Sequence, residues 1–388
     1  MMKKRQKLCG RLIVLSVALI ASVGTYAQTL VGGIYYNFDD NSKEAEVSRD
    51  LGGDFLLGCY SGSVTIPKTV KNGNVTYTVT KINGVAFVYS SELTSISIPS
   101  TVTDIGEGFT STCTNLAYIT VDKDNKVYDS RENCNAVIHT ATNELVAGCK
   151  NTKIPYGVTR IGGLAFSGID VSSLEIPNTV TSIGRDAFEF CKGLNSIKLP
   201  ESLQQMRERV FEWCTNLTSI NIPDGITEIE EYTFLGCENL TSITLPKNLE
   251  SIGKSAFSTC SSLSEIVIPA TVTSIGRLAF EDCVNLKSVT FLSATPPVLG
   301  DDVFISYKTR NVDLIIHVPK GYKDAYLSDN RFKNCTIIDD APVPAMTGIS
   351  TLTSSQPQPT VTYNLEGRRV ENPVKGNVYI INGKKVIY

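Results

Sequence analysis

Two histidines, His139 and His317, are all the imidazole in this 388-residue chain. Catalysis that needs a general base beside a nucleophile therefore has little to work with. The balance of 36 basic against 39 acidic residues leaves a net charge of -3. No surplus of positive field exists to gather phosphates, which argues against nucleic acid as the main partner. None of the 11 cysteines forms a C-x-x-C pair, the close spacing that structural zinc sites favour. A glycine-rich phosphate cradle is also absent. Past the N-terminus no apolar run is long enough to make a membrane helix. The expectation is a protein that is not an enzyme, with no catalytic residues, no cofactor and no metal.

What the chain does have is repetition. Cys191, Cys214, Cys237, Cys260 and Cys283 stand 23 residues apart, as do Phe188, Phe211, Phe234, Phe257 and Phe280. A period in that range means a solenoid, whose length counts coils and not domains. Each unit follows Ile-Gly-x-x-Ala-Phe-x-x-Cys-x-x-Leu-x-x-Ile-x-Ile-Pro. Leu217, Ile220 and Ile222 have the Leu-x-x-Leu-x-Leu spacing of a leucine-rich repeat, in which a short strand lines the inner face. The proline ends that strand because it has no N–H for the next rung. Outside, Ile229 followed by an aromatic a few residues on suits a short helical turn that packs its ring inward. With Phe87, Phe109 and Phe166 the phenylalanines predict a buried spine. The cysteine column reads as small buried thiols beside that spine, and the Ile-Gly glycines as relaxing a tight turn.

Residues 1–27 read as an export signal: Lys3, Lys4, Arg5 and Lys7 precede a run of small and apolar residues from Leu12 to Gly24. Residues 28–80, with hairpin signals at Gly52-Gly53 and Asn72-Gly73, are expected to cap the first coil. Repeats should fill 81–292, a C-terminal cap 293–340, a linker 341–360 and a β-rich tail 361–388. One unit is longer than the rest, and its excess lies at 122–152. Ala136 to His139 and Glu144 to Ala147 flank a four-residue turn there, a hairpin signal. If His139 faces Glu144, Cys134 falls opposite Cys149, a candidate disulfide in an oxidising compartment.

Between the apolar strand positions lie residues that should point outward: Ser196 and Lys198, Ser219 and Asn221, Ser242 and Thr244, then Glu265. These make a shallow, hydroxyl-rich candidate binding face, although it lacks the aromatic anchors that concentrate binding energy. The inserted hairpin and the loops are equal candidates, since loops commonly carry contacts.

On Ile183-Gly184, Ala187-Phe188, Cys191, Leu194, Ile197 and Leu199-Pro200, repeated down the chain, the sequence resembles the BspA-type leucine-rich repeat proteins of bacterial cell surfaces. The stretches Tyr128-Asp129-Ser130-Arg131 and His317-Val318-Pro319-Lys320-Gly321 share the likeness. The tail, through Asn364-Leu365-Glu366-Gly367 and Gly376-Asn377-Val378-Tyr379, looks like the end of type IX sorting regions. The fold expected is an α/β repeat: a right-handed leucine-rich repeat solenoid with 23-residue units, a parallel inner sheet, short helical turns outside and β-rich caps. The resemblance implies a secreted or surface protein that adheres to an extracellular protein or cell. Glycan capture and a structural surface-layer role are the alternatives.

Overall fold

The computed structural model describes residues 28–50, 59–305, 314–332 and 335–342, together with short strands of the tail. The export signal expected at 1–27 and most of the linker expected at 341–360 lie outside the described residues. Two compact units divide the chain, Met1–Pro344 and Ala345–Tyr388. In the second, Thr362–Tyr363, Arg369–Val370, Val378–Ile381 and Lys384–Ile387 pair as an antiparallel sheet.

The first unit is a β-solenoid, and the alternation in each repeat explains its main face. In Ser219–Asn221 the central Ile220 is buried while its neighbours are exposed, the two-residue period of a half-buried strand. Copies stack in register without slipping: Ser219 pairs with Ser242, Ile220 with Ile243 and Asn221 with Thr244, all parallel. Further on, Glu265–Ile268, Ser288–Phe291, Ile315–Pro319 and Thr336–Ala341 continue as one four-stranded ladder. This long-strand face already begins with Gly62–Thr65, which pairs in parallel with Leu93–Ile98, inside the stretch read as cap.

A second ladder runs along another edge with only two residues per coil, such as Ser182–Ile183, Ser251–Ile252 and Ser274–Ile275. The third side carries no helix, against the expectation of short helical turns. Alternate N–H groups there bond between coils, that of Asp186 donating to Glu208 O (3.1 Å), Phe188 to Val210 O (2.9 Å) and Phe190 to Glu212 O (2.8 Å), while those between them, such as Glu189 to Asp186 O (3.1 Å), close three-residue turns. A helix would instead need bonds four residues back within the coil. Two left-handed residues per coil, Asp186 and Phe190, then Arg209 and Trp213, with φ between 56° and 58°, also interrupt helical geometry. Among the described residues of the first unit the α-helix, Lys323–Leu327, belongs to the closing end of the solenoid. The fold is accordingly β-solenoid, not α/β.

Of the expected spine, Phe166, Phe188, Phe211, Phe234, Phe257 and Phe280 stack, and Phe304, which was not expected, extends them, with centroids 5.2–5.6 Å apart and planes within 15° of parallel. Phe87 and Phe109 meet edge to face at 6.2 Å as a separate pair. The Ile-Gly glycines serve close approach and not a left-handed turn. A Cβ on Gly276 would lie 2.6 Å from the backbone N of Lys254 in the preceding coil.

The insert separates two core clusters. Val137–His139 pairs antiparallel with both Tyr128–Asp129 and Glu144–Ala147, and Glu144-Leu145 pairs in parallel with Arg160-Ile161. The hairpin thus enters the two-residue ladder as a strand. Ala136, Ile138 and Leu145 face the C-terminal core, whereas Val137 and Ala147 face the N-terminal one. One thin hairpin forms a wall between both cores: Ala136, Val137 and Ile138 alternate sides as strand residues do, and the register shift that leaves Val146 as an extra residue sends Leu145 and Ala147 to opposite sides.

Candidate binding face

The expected outward residues do come together. Ser219 stands beside Ser242, and Asn221 beside Thr244. Isolated bridges extend the rows, joining Ser196 to Ser219 and Glu175 to Lys198. Ser196, Lys198, Ser219, Asn221, Ser242 and Thr244 are exposed and line one shallow recess of about 530 Å³. Glu201 and Asp224 add carboxylates at its rim. Lys247 donates to Asp224 through Nζ (2.7 Å) and its backbone N–H (3.0 Å), which holds that carboxyl below its ordinary range. Glu265 is exposed in the neighbouring coil but does not line the recess. Chemically the face offers hydroxyls, one amide and charges of both signs to an extended ligand.

The cysteine column is neither reactive nor passive. Cys191 Sγ–H donates to Phe166 O (3.1 Å), Cys214 to Phe188 O (3.1 Å), Cys237 to Phe211 O (3.2 Å), Cys260 to Phe234 O (3.2 Å) and Cys283 to Phe257 O (3.1 Å). The carbonyl of Phe188 also accepts the N–H of Cys191 in its own coil, so its two lone pairs serve two coils. Burial pushes the thiols up, Cys283 to about 12, which suppresses the thiolate that nucleophilic or metal chemistry requires.

Cys134 and Cys149 do not pair. His139 faces Glu144 as expected and Ile138 faces Leu145, but a β-bulge between Val137 and Ile138 shifts Val137 to face Ala147. One residue of slip brings Asn135 beside Cys149, whose single S–H has Ala117 O (3.0 Å) and Asn135 O (3.1 Å) within reach of Sγ. Cys134 packs into the C-terminal core and Cys149 into the N-terminal one, and both are free thiols.

Sequence reasoning missed a buried acidic group. Asp186, Glu189 and Glu212 gather oxygens within 4.8 Å of one another on the turn side. Arg185 Nε lies 2.9 Å from Asp186 and Arg209 Nε 3.6 Å from Glu212, while Ser167 Oγ donates to Glu189 (3.3 Å). Two guanidiniums thus face three carboxylates. Desolvation, with repulsion from the neighbouring acids, raises all three and puts Glu212 at about 7. The signal was present in Glu189 and Glu212, which directly follow spine phenylalanines where other coils carry Ser167 and Ser258.

The family model for the BspA type leucine rich repeat region matches in six copies over residues 59–142, 141–263 and 252–353. Among solved structures, a leucine-rich repeat protein from Bacteroides ovatus is similar at 28% identity and TM-score 0.52, over 75% of this chain and 70% of that one. Another from Eubacterium ventriosum is similar at 20% identity and TM-score 0.52, over 72% of this chain and 95% of that one. No curated protein matches.

Proposed function

The chain belongs to the BspA-type leucine-rich repeat family, and from that premise we propose that it is an exported surface protein that adheres to an extracellular protein through its long-strand face. The repeats form a scaffold of the kind used for protein interaction. Among the described residues no helix is long and apolar enough to cross a membrane. The observation that carries the reading is the pair of in-register polar rows, Ser196-Ser219-Ser242 and Lys198-Asn221-Thr244, exposed across successive coils. Such rows offer hydrogen-bond partners at a repeating spacing to an extended polypeptide, and their small side chains let it lie close.

The mature chain should bind at least one component of an extracellular-matrix protein array. Changing Ser219, Ser242 and Thr244 together to Glu should abolish that binding while the variant still melts cooperatively, its melting temperature lowered modestly because like charges on the paired positions 219 and 242 cost on the order of 1 kcal/mol. Hits confined to a parallel glycan array would favour carbohydrate capture. Silence on both arrays would favour a structural surface role.

A further inference from the structure

From Ile105 onward most coils place a long or charged side chain two residues after the ladder residue: Glu107, Arg185, Glu208, Glu231, Lys254, Arg277 and Asp301. The coil of Ile161 has Gly163 there instead. At that coil the hairpin strand Glu144–Ala147 pairs with Arg160–Ile161 on the two-residue ladder. The turn side stays closed between the flanking coils, with Thr112 N–H donating to Ser167 O (2.8 Å). Spreading on one edge alone leaves a recess of about 370 Å³ floored by Gly162 and Gly163 and lined by Glu107, Glu144, Tyr128 and His139.

The glycines make room for carboxylates. A Cβ on Gly163 would run into the Glu107 carboxylate, and one on Gly162 would stand 2.8 Å from Glu144 Oε1. Tyr128 and His139 form the aromatic wall, edge to face at 5.5 Å. The Tyr128 hydroxyl accepts the N–H of Ile105 (3.2 Å), and His139 Nδ1 accepts the N–H of Thr142 (3.3 Å). Arg160 lies 3.5 Å from Glu144. Arg185, which attracts Glu107, is itself held closer by Asp186 at 2.9 Å and by Glu208 at 3.6 Å. Among the described residues, Glu107, Glu144 and His139 are not gathered as tightly as the trio Asp186, Glu189 and Glu212. The recess therefore suits an organic cation larger than a bare metal ion.

We propose that this recess between the inserted hairpin and the Ile161 coil is a second binding site, which takes the ammonium of a lysine side chain on an extended polypeptide. Glu107 and Glu144 receive its hydrogen bonds, and the stem lies along Tyr128 and Val146. The full chain is tested by fluorescence polarisation with a dye-labelled, end-capped heptapeptide carrying one central lysine, against the same peptide with Nε-acetyl-lysine. The lysine peptide should bind at least about tenfold tighter, the worth of a charge-assisted hydrogen bond. Glu107→Gln with Glu144→Gln should remove that preference. Gly163→Arg, which places the column's usual long side chain in the recess, should block both peptides. The Ser219, Ser242 and Thr244 to Glu variant should bind the peptide as wild type does, so this result stands apart from the fate of the long-strand face. Equal binding of the two peptides, no binding, or a preference that survives the paired Gln change in a variant of unchanged melting temperature would overturn the proposal.

Discussion

The regular stack from Ile183 to Cys283 and the insert at 122–152 are built by opposite rules. In the stack each coil repeats the contacts of the one before, Phe on Phe and the Cys thiol on a Phe carbonyl, so one set of contacts recurs coil after coil. Stability there is close to a sum of coil and neighbour terms. In the insert nothing recurs. Val137 and Ile138 are adjacent in sequence yet sit in different cores, and the bulge between them decides which neighbours Cys134 and Cys149 meet. Repetition makes shape, and its interruption makes the sites that differ from coil to coil.

The contrast is broken most strongly at the spine. Phe234→Ala should cost about 3–5 kcal/mol, because neighbours locked between two stacked rings cannot collapse into the space. Chemical denaturation of the purified variant checks this, and a midpoint within error of wild type would remove the spine as a main stabilising element. Ile138→Ala should cost about 2–5 kcal/mol from its own cavity. Since Ile138 lies on the wall between the cores, we also expect hydrogen exchange to rise in coils on both sides of the insert, whereas Phe234→Ala should loosen only neighbouring coils. Exchange confined to one side of the Ile138 variant would mean that the hairpin does not couple the cores.

A smaller effect separates the acidic trio from the neutral coils. Glu212 binds its proton more tightly in the folded chain than unfolded, so the stability it contributes is complete below about pH 4.3 and is lost as pH rises through about 7, and Asp186 and Glu189 shift in the same direction. The loss amounts to up to about 1.4 kcal/mol per pH unit for each proton involved. Urea melts between pH 4.5 and 8 should show this slope, and Glu212→Gln should flatten it. An unchanged slope in that variant would place the titration elsewhere.

Much of the stack was legible because its signals are local and repeated. The 23-residue period, the spine from Phe166 to Phe280 and the outward row from Ser196 to Thr244 all follow from alternation within one unit and survive unaltered in the fold. The turn side was misread because Ala-Phe at helical spacing looks the same whether its N–H groups bond within the coil or across to the next. The hairpin and its His139–Glu144 pairing were visible, while the bulge was not. The recess at Gly163 joins Glu107 to residues 21 to 56 positions away, which no local pattern announces.

By itself, then, the sequence determined the period, the core residues and the exposed polar rows, because alternation of apolar and polar side chains settles which face of a strand leaves water. Only the tertiary structure decided how the outer turns bond, which core each hairpin residue enters, and where Asp186, Glu189 and Glu212 converge. Those outcomes depend on contacts between coils, where one residue of slip or one missing side chain changes every neighbour.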